Sequence, residues 1–249
     1  MQLALITGGA VRIGRTIALH LAKNGFAVAI QYNHSEEEAV ALVAEIKQAG
    51  SEAAAFRASL EKTAETGALI PRIAQAMGPL TCLINNASHF AGDRLPSLTP
   101  ESWRAHLAVN LEAPVFLSQA FAAQLPVAHT GNIVNIVDQR VLRPNPLFFS
   151  YTLAKSALWA ATRTMAQELA PHIRVNAIGP GPALRSIHQS EEDFEHECRS
   201  MPLGYGTSPG EIADAILFIL RARSMTGQMI ALDGGQHLLW QTPDIRGPS

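Results

Sequence analysis

The sequence predicts a doubly wound α/β fold, a parallel sheet of about seven strands with helices on both faces. Three observations carry that prediction. Short apolar runs alternate with longer amphipathic stretches along almost the whole chain of 249 residues, the pattern of βα units whose strands are buried on both sides. The first unit joins its strand (Leu3 to Ile6) to its helix through Thr7-Gly8-Gly9-Ala10-Val11-Arg12-Ile13-Gly14-Arg15, a glycine turn opening a helix N-terminus. Later strands end in Asn85-Asn86-Ala87-Ser88, Asp138 and Gly179-Pro180-Gly181-Pro182, at the carboxyl ends where such sheets hold their ligands.

Each element follows from its own pattern. The first helix runs toward Lys23, and Ala27 to Gln31 is the second strand. Glu36 to Gln48 shows helical spacing of apolar residues and stops at Gly50. Ala53 to Phe56 and Cys82 to Ile84 read as strands on either side of a helix from Lys62 to Met77. A long helix is expected from Pro100 to about Leu125, a strand over Asn132 to Val137, a helix over Tyr151 to Leu169 and a strand over Ile173 to Ile178. The acidic stretch from Ser190 to Arg199 reads as a short exposed helix, a mobile cover for the pocket. Pro209 to Arg221 is the last helix and Met229 to Leu232 the last strand. One domain over 1–240 is expected, with 241–249 as a flexible tail.

Composition narrows the function. At 47% hydrophobic and 16% charged, the chain can bury a large core, and its net charge of −2 with scattered basic residues offers no stripe for nucleic acid. It starts directly on a strand and has no apolar run long enough for a bilayer, so a cytoplasmic protein without membrane contact is expected. Cys82 and Cys198 make no disulfide framework: Cys82 reads as a small core residue and Cys198 as a reduced surface thiol. His188, His196 and Cys198 lack the spacing of a known metal site, and no metal is expected.

The chemistry sits in the turns. Gly8 and Gly14 let backbone approach a phosphate, toward which unpaired N–H groups and the helix dipole point. A ribose without a 2′-phosphate is usually gripped by an acid at the end of the second strand. This chain reads Gln31-Tyr32-Asn33-His34-Ser35 there, so Arg12, His34 and Ser35 are expected to hold the 2′-phosphate of NADP(H). Tyr151 and Lys155 share one helix face, where an ammonium is expected to lower the tyrosine's pKa and make it the proton donor. Lys155 would also hold the nicotinamide ribose.

Together, Thr7-Gly8…Gly14, Asn85-Asn86-Ala87, Asn110, Tyr151-x-x-x-Lys155 and Pro180-Gly181 resemble the short-chain dehydrogenase/reductase family over almost the whole chain. The resemblance implies one Rossmann domain, hydride transfer between NAD(P) and a carbonyl, alcohol or imine, and a homotetramer. It implies cofactor contacts at Ile13, Asn33, Ser59, Leu60, Asn86, Ala87, Ser88, Pro180 and Gly181, with Asn110 holding a water. Thirteen residues before Tyr151, where the family usually has serine, stands Asp138. With Arg12, Asn86-Ala87-Ser88-x-Phe90 and the basic residue and serine at His34-Ser35, this aspartate resembles the pteridine reductase branch. That implies NADPH-dependent reduction of a dihydropterin, with Asp138 and Tyr151 supplying the proton and Phe90 and Pro182 touching the substrate. The plain alternatives are that Asp138 caps a loop and Phe90 belongs to the core. The chain departs from the branch at His34, where the branch has arginine, and at Ser59, where the family has an aspartate. Two rival functions stay open, a general carbonyl or alcohol oxidoreductase and a non-catalytic NADP sensor. Intact Asn110, Tyr151 and Lys155 argue against the sensor.

Overall fold

The computed structural model describes residues 2–186 and 189–240. Seven parallel strands, β1 (Gln2–Ile6), β2 (Phe26–Tyr32), β3 (Ala53–Arg57), β4 (Cys82–Asn85), β5 (Gly131–Ile136), β6 (Ile173–Pro180) and β7 (Met229–Leu232), form one sheet in the order β3-β2-β1-β4-β5-β6-β7. Strand order reverses between β1 and β4, which opens a crevice at their carboxyl ends. The helices are α1 (Arg12–Lys23), α2 (Glu36–Gln48), α3 (Thr63–Met77), α4 (Pro100–Leu107), α5 (Ala113–Gln124), α6 (Phe149–Leu169), α7 (Glu191–Arg199) and α8 (Pro209–Arg221).

Side chains alternating along each strand serve two core layers. Ala4 and Ile6 of β1 pack with Ile17, Leu21, Leu42 and Ile216 from α1, α2 and α8. Leu3 and Leu5 pack on the other face with Leu69, Ile73, Leu117 and Phe121 from α3 and α5. A parallel sheet covered this way reads as continuous apolar runs, which made the strands visible in the sequence. Cys82 lies inside β4, where burial pushes its thiol up to about 12, and Cys198 is half-buried and free.

The expected long helix from Pro100 is interrupted. Ala108–Glu112 forms a π-helical turn between α4 and α5, with the Ala113 amide donating to the carbonyl of Ala108. Pro114, at the start of α5, has no N–H to give the carbonyl four residues back, that of Asn110, so the α ladder cannot run through. Strand β6 is also longer than expected: Gly179 and Pro180 still pair with Ala231 and Leu232. Among the described residues no helix is long and apolar enough to cross a membrane. The tail 241–249 and His188 of the His188, His196 and Cys198 trio lie outside the described residues.

A buried polar chain fixes α6 to the sheet. Asn85 Nδ2 donates to Asn135 Oδ1 at 2.8 Å, Asn135 Nδ2 to the Thr162 hydroxyl at 2.8 Å, and that hydroxyl to the Leu158 carbonyl at 2.8 Å. Asn135→Ala removes the middle link and leaves a buried donor and acceptor without partners. It should lower stability in urea denaturation by about 2 kcal/mol, and a loss within error of zero would show that the chain does not anchor the helix.

Candidate active site

Backbone closeness defines the first half of the site. A Cβ on Gly14 would lie 2.1 Å from the carbonyl oxygen of Gly8, and Gly8 itself takes φ +59°, so both positions need glycine. The sequence predicts unpaired amides at this turn, but that of Gly8 is engaged: it donates to Gln31 Oε1 at 2.8 Å, while Gly9 N donates to the Gln31 carbonyl at 3.0 Å. Gln31 Nε2 in turn reaches the Ala58 carbonyl at 2.7 Å. The amides of Arg12, Ile13 and Gly14, in the first turn of α1, have no acceptor within the helix. Arg12 enters that helix at φ +53°, a left-handed conformation unusual for a side-chain-bearing residue, and its guanidinium donates to the Arg185 carbonyl at 3.0 Å.

From the neighbouring strand, Asn86 Nδ2 donates to the carbonyls of Thr7 at 2.9 Å and Gly8 at 3.2 Å. A cavity of about 680 Å³ opens above this junction, with Gly8, Arg12, Ile13 and Gly14 on one side, Asn33, His34 and Leu60 at one end, and Asn86, Ala87 and Ser88 on the other side. Two expected contacts, Ser35 and Ser59, line neither this cavity nor the smaller one beside it. Ser35 stands at the start of α2, and the Ser59 amide is engaged by the Glu65 carboxylate at 2.7 Å, leaving Leu60 and Glu61 to face the cavity.

A second cavity of about 260 Å³ shares Arg12, Ile13, Asn86, Ser88 and Phe90 with the first, and brings in Asp138, Tyr151, Lys155, Pro180, Gly181 and Pro182. The Tyr151 hydroxyl donates to Asp138 Oδ2 at 2.8 Å. Asp138 Oδ1 accepts the Arg140 amide at 2.8 Å, and Oδ2 pairs with the Arg140 guanidinium at 3.1 Å. The aspartate thus caps the turn Gln139–Val141 and also faces the tyrosine.

The electrostatics correct one expectation. Lys155 Nζ donates to the Ile136 carbonyl at 2.8 Å and lies 5.7 Å from the Tyr151 ring centre, so the phenol is hydrogen-bonded to a carboxylate, not to the ammonium. Burial raises the Tyr151 pKa well above the usual value, and the Asp138 charge and hydrogen bond raise it further, against smaller effects of Arg140 and Ser88. Burial also lowers Lys155 to about 8, with Asp138 acting the other way.

Asn110 lies on neither wall. It is fully buried in the π turn, where Oδ1 accepts the Ser88 hydroxyl at 3.0 Å and the His89 amide at 3.1 Å, and Nδ2 donates to the His89 carbonyl at 2.8 Å. Instead of being placed on the wall to hold a water, it braces the segment carrying Ser88. Phe90 is 38% exposed, which removes it from the core. Its ring stacks on Phe148 at 4.5 Å and meets Tyr151 edge-on at 4.9 Å. Sequence reasoning passed over the roles of Gln31 and Arg140, and it read the stretch holding Phe194 and Glu197 as a pocket cover without singling out these two, which lie on the inner wall. Gln31 carried a usable signal, a polar residue closing an apolar strand. Asp93 carried none: its carboxylate accepts the Ser150 amide at 3.0 Å and the Ser102 hydroxyl at 3.1 Å, capping α6 from 57 residues away.

The sequence pattern of the short chain dehydrogenase family matches residues 2–195. The chain belongs to that family. Among solved structures, this short chain dehydrogenase is similar to FolM alternative dihydrofolate reductase 1 from Brucella suis in complex with NADP, 47% identical over 98% of both chains with a TM-score of 0.96. The Brucella canis protein of the same name, also complexed with NADP, is 46% identical over 99% of this chain and 98% of its own, with a TM-score of 0.93. Among curated relatives, 3-oxoacyl-[acyl-carrier-protein] reductase FabG of Staphylococcus aureus is 31% identical over 240 residues, 94% of this chain and 98% of that protein.

The Asp93 clamp has a testable consequence. Burial raises this carboxyl, but hydrogen bonds from Ser150 and Ser102 outweigh it and leave the pKa lowered. Asp93→Ala should cost about 1 kcal/mol at neutral pH. Because the folded pKa lies below the unfolded one of about 3.9, the gap between wild type and variant should hold above that value and close as pH falls below it. Urea denaturation between pH 3 and 7, with a gap independent of pH, would contradict the charge-assisted cap.

Proposed function

We propose that this short chain dehydrogenase is an NADPH-dependent reductase of pteridines, taking a dihydropterin to the tetrahydro level. The hydrogen bond from Tyr151 to the Asp138 carboxylate, 2.8 Å long, is the observation that carries this reading. Reducing a C=N bond of a fused heterocycle takes one hydride at carbon and one proton at nitrogen. When bound, the nicotinamide supplies the hydride. Tyr151 keeps its proton across the physiological range, so the Tyr151/Asp138 pair has a proton ready for the ring nitrogen. The exposed face of Phe90 suits a flat ring, and Phe194 on the inner wall adds apolar surface.

The residues fit the cofactor. The Gly8–Gly14 approach leaves no room for a Cβ, the first-turn amides of α1 face the larger cavity, and Arg12 and His34 on its wall suit a 2′-phosphate. NADP(H) is the cofactor in this reading, in line with the NADP held by both FolM structures. Lys155 holds the nicotinamide ribose at the inner end. The resemblance to the family adds a homotetramer, which sedimentation would check. A second reading, reduction of a 3-oxoacyl thioester, is favoured by the similarity to FabG.

Turnover of NADPH with dihydrobiopterin and with an acetoacetyl thioester separates the two readings, and absence of turnover with either would favour the sensor. Asp138→Ser should lose about 10²- to 10⁴-fold in pterin turnover, and Tyr151→Phe should harm pterin and carbonyl reduction alike. An unchanged pterin rate in Asp138→Ser would make the aspartate a bystander.

Cofactor binding supplies a further check. NADPH should bind at least about tenfold more tightly than NADH, since a phosphate contact is worth more than about 1 kcal/mol. Lys155 loses its charge as pH rises through about 8, so NADPH affinity should fall above that value. Fluorescence titration of the wild type should show that fall, and Lys155→Met should bind more weakly with a flat profile. Equal affinity for the two nucleotides would remove the NADP assignment.

A further inference from the structure

Arg140 has no part in the chemistry described so far, yet it contacts Asp138, Phe90 and Phe148. Its backbone amide and its guanidinium each hold one oxygen of Asp138, at 2.8 and 3.1 Å, which fixes the plane of the carboxylate and presents Oδ2 to the Tyr151 hydroxyl. The pair is shielded: the two side chains are 16% and 13% exposed, so solvent screens them far less than a surface ion pair. The guanidinium carbon also lies 4.9 Å from the ring centre of Phe148 and 5.5 Å from that of Phe90, within cation–π range of both. Its Nε is buried with no hydrogen-bond acceptor, consistent with a guanidinium held against ring faces. A planar, delocalised cation meets all these demands at once, and a lysine ammonium does not.

We propose that Arg140 is the positioning residue of the Tyr151/Asp138 pair, locking the carboxylate onto the phenol and coupling that pair to the aromatic wall built by Phe90 and Phe148. The proposal rests on the reading of Tyr151 and Asp138 as the proton-handling pair, and it holds for whichever substrate the enzyme reduces. Without Arg140, Asp138 would be a partly buried charge lacking its cation, free to turn from the phenol or draw in water. The loss would fall on the proton-transfer step, with cofactor binding unaffected.

A double-mutant cycle tests this, run on whichever of dihydrobiopterin or the acetoacetyl thioester the wild type reduces. Arg140→Met should lower kcat at least tenfold while the NADPH Kd stays within twofold. Arg140→Lys should recover part of the loss. On an Asp138→Asn background, Arg140→Met should cost less than twofold more. Additive losses in the cycle, an unchanged kcat in Arg140→Met, or a parallel loss of NADPH affinity would each overturn the role. If Arg140→Met does not fold, the cycle is run with Arg140→Lys, where the coupling must again appear. A wild type that reduces the thioester and not the pterin would overturn the pteridine reading while leaving the cycle to decide on Arg140.

Discussion

The site depends on one junction, where Thr7 at the end of β1 meets the first residues after β4. The Thr7 amide donates to the Ile84 carbonyl at 3.0 Å, and its hydroxyl accepts the amides of Asn86 and Ala87, each at 2.9 Å. Asn86 then returns its side-chain amide to the carbonyls of Thr7 and Gly8. These bonds sit where the strand order reverses, so the crevice is both opened by the topology and stitched along its floor. Asn86 lies on the walls of both cavities, and a shift there would move the cofactor turn and the inner pocket together.

A second constraint is electrostatic. Burying a tyrosine beside a carboxylate makes the phenol harder to ionise, so Tyr151 is held as an acid. A serine in place of Asp138 would add no negative charge. Lys155, buried and bonded to a strand carbonyl, holds its own proton less firmly because of burial. The aspartate thus adds to burial in keeping the tyrosine protonated, and under the proposed reading this bias suits a reductase that must deliver a proton along with each hydride. Fold alone says nothing of this bias, because the same sheet and helices serve many chemistries.

The architecture was legible because its elements are locally encoded. Buried parallel strands appear as apolar runs, helices show their spacing, and the glycine turn announces itself by position. The break at Ala108–Glu112 also had a local cause in Pro114, but its form, a π turn that continues the helix direction, depends on how α4 and α5 pack. Tyr151, Lys155 and Asp138 were legible as residue types. Their hydrogen bonding was not, because four residues along a helix places two side chains on one face without saying which third group each will reach.

By itself the sequence determined the order of strands and helices, the placement of the polar breakers at the carboxyl edge, and the absence of an acid at the end of the second strand. Tertiary structure alone decided that Gln31 takes the Gly8 amide, that Asn110 braces Ser88 and His89, that Asp93 caps α6, and that Arg140 joins Asp138 to Phe90 and Phe148. All but the last join residues more than 20 positions apart, and even the Arg140 contacts need Phe90 brought in from beyond β4. Propensity and periodicity act over a few neighbouring residues. Which buried donor meets which acceptor is settled only when the layers close and each polar group left inside must find a partner.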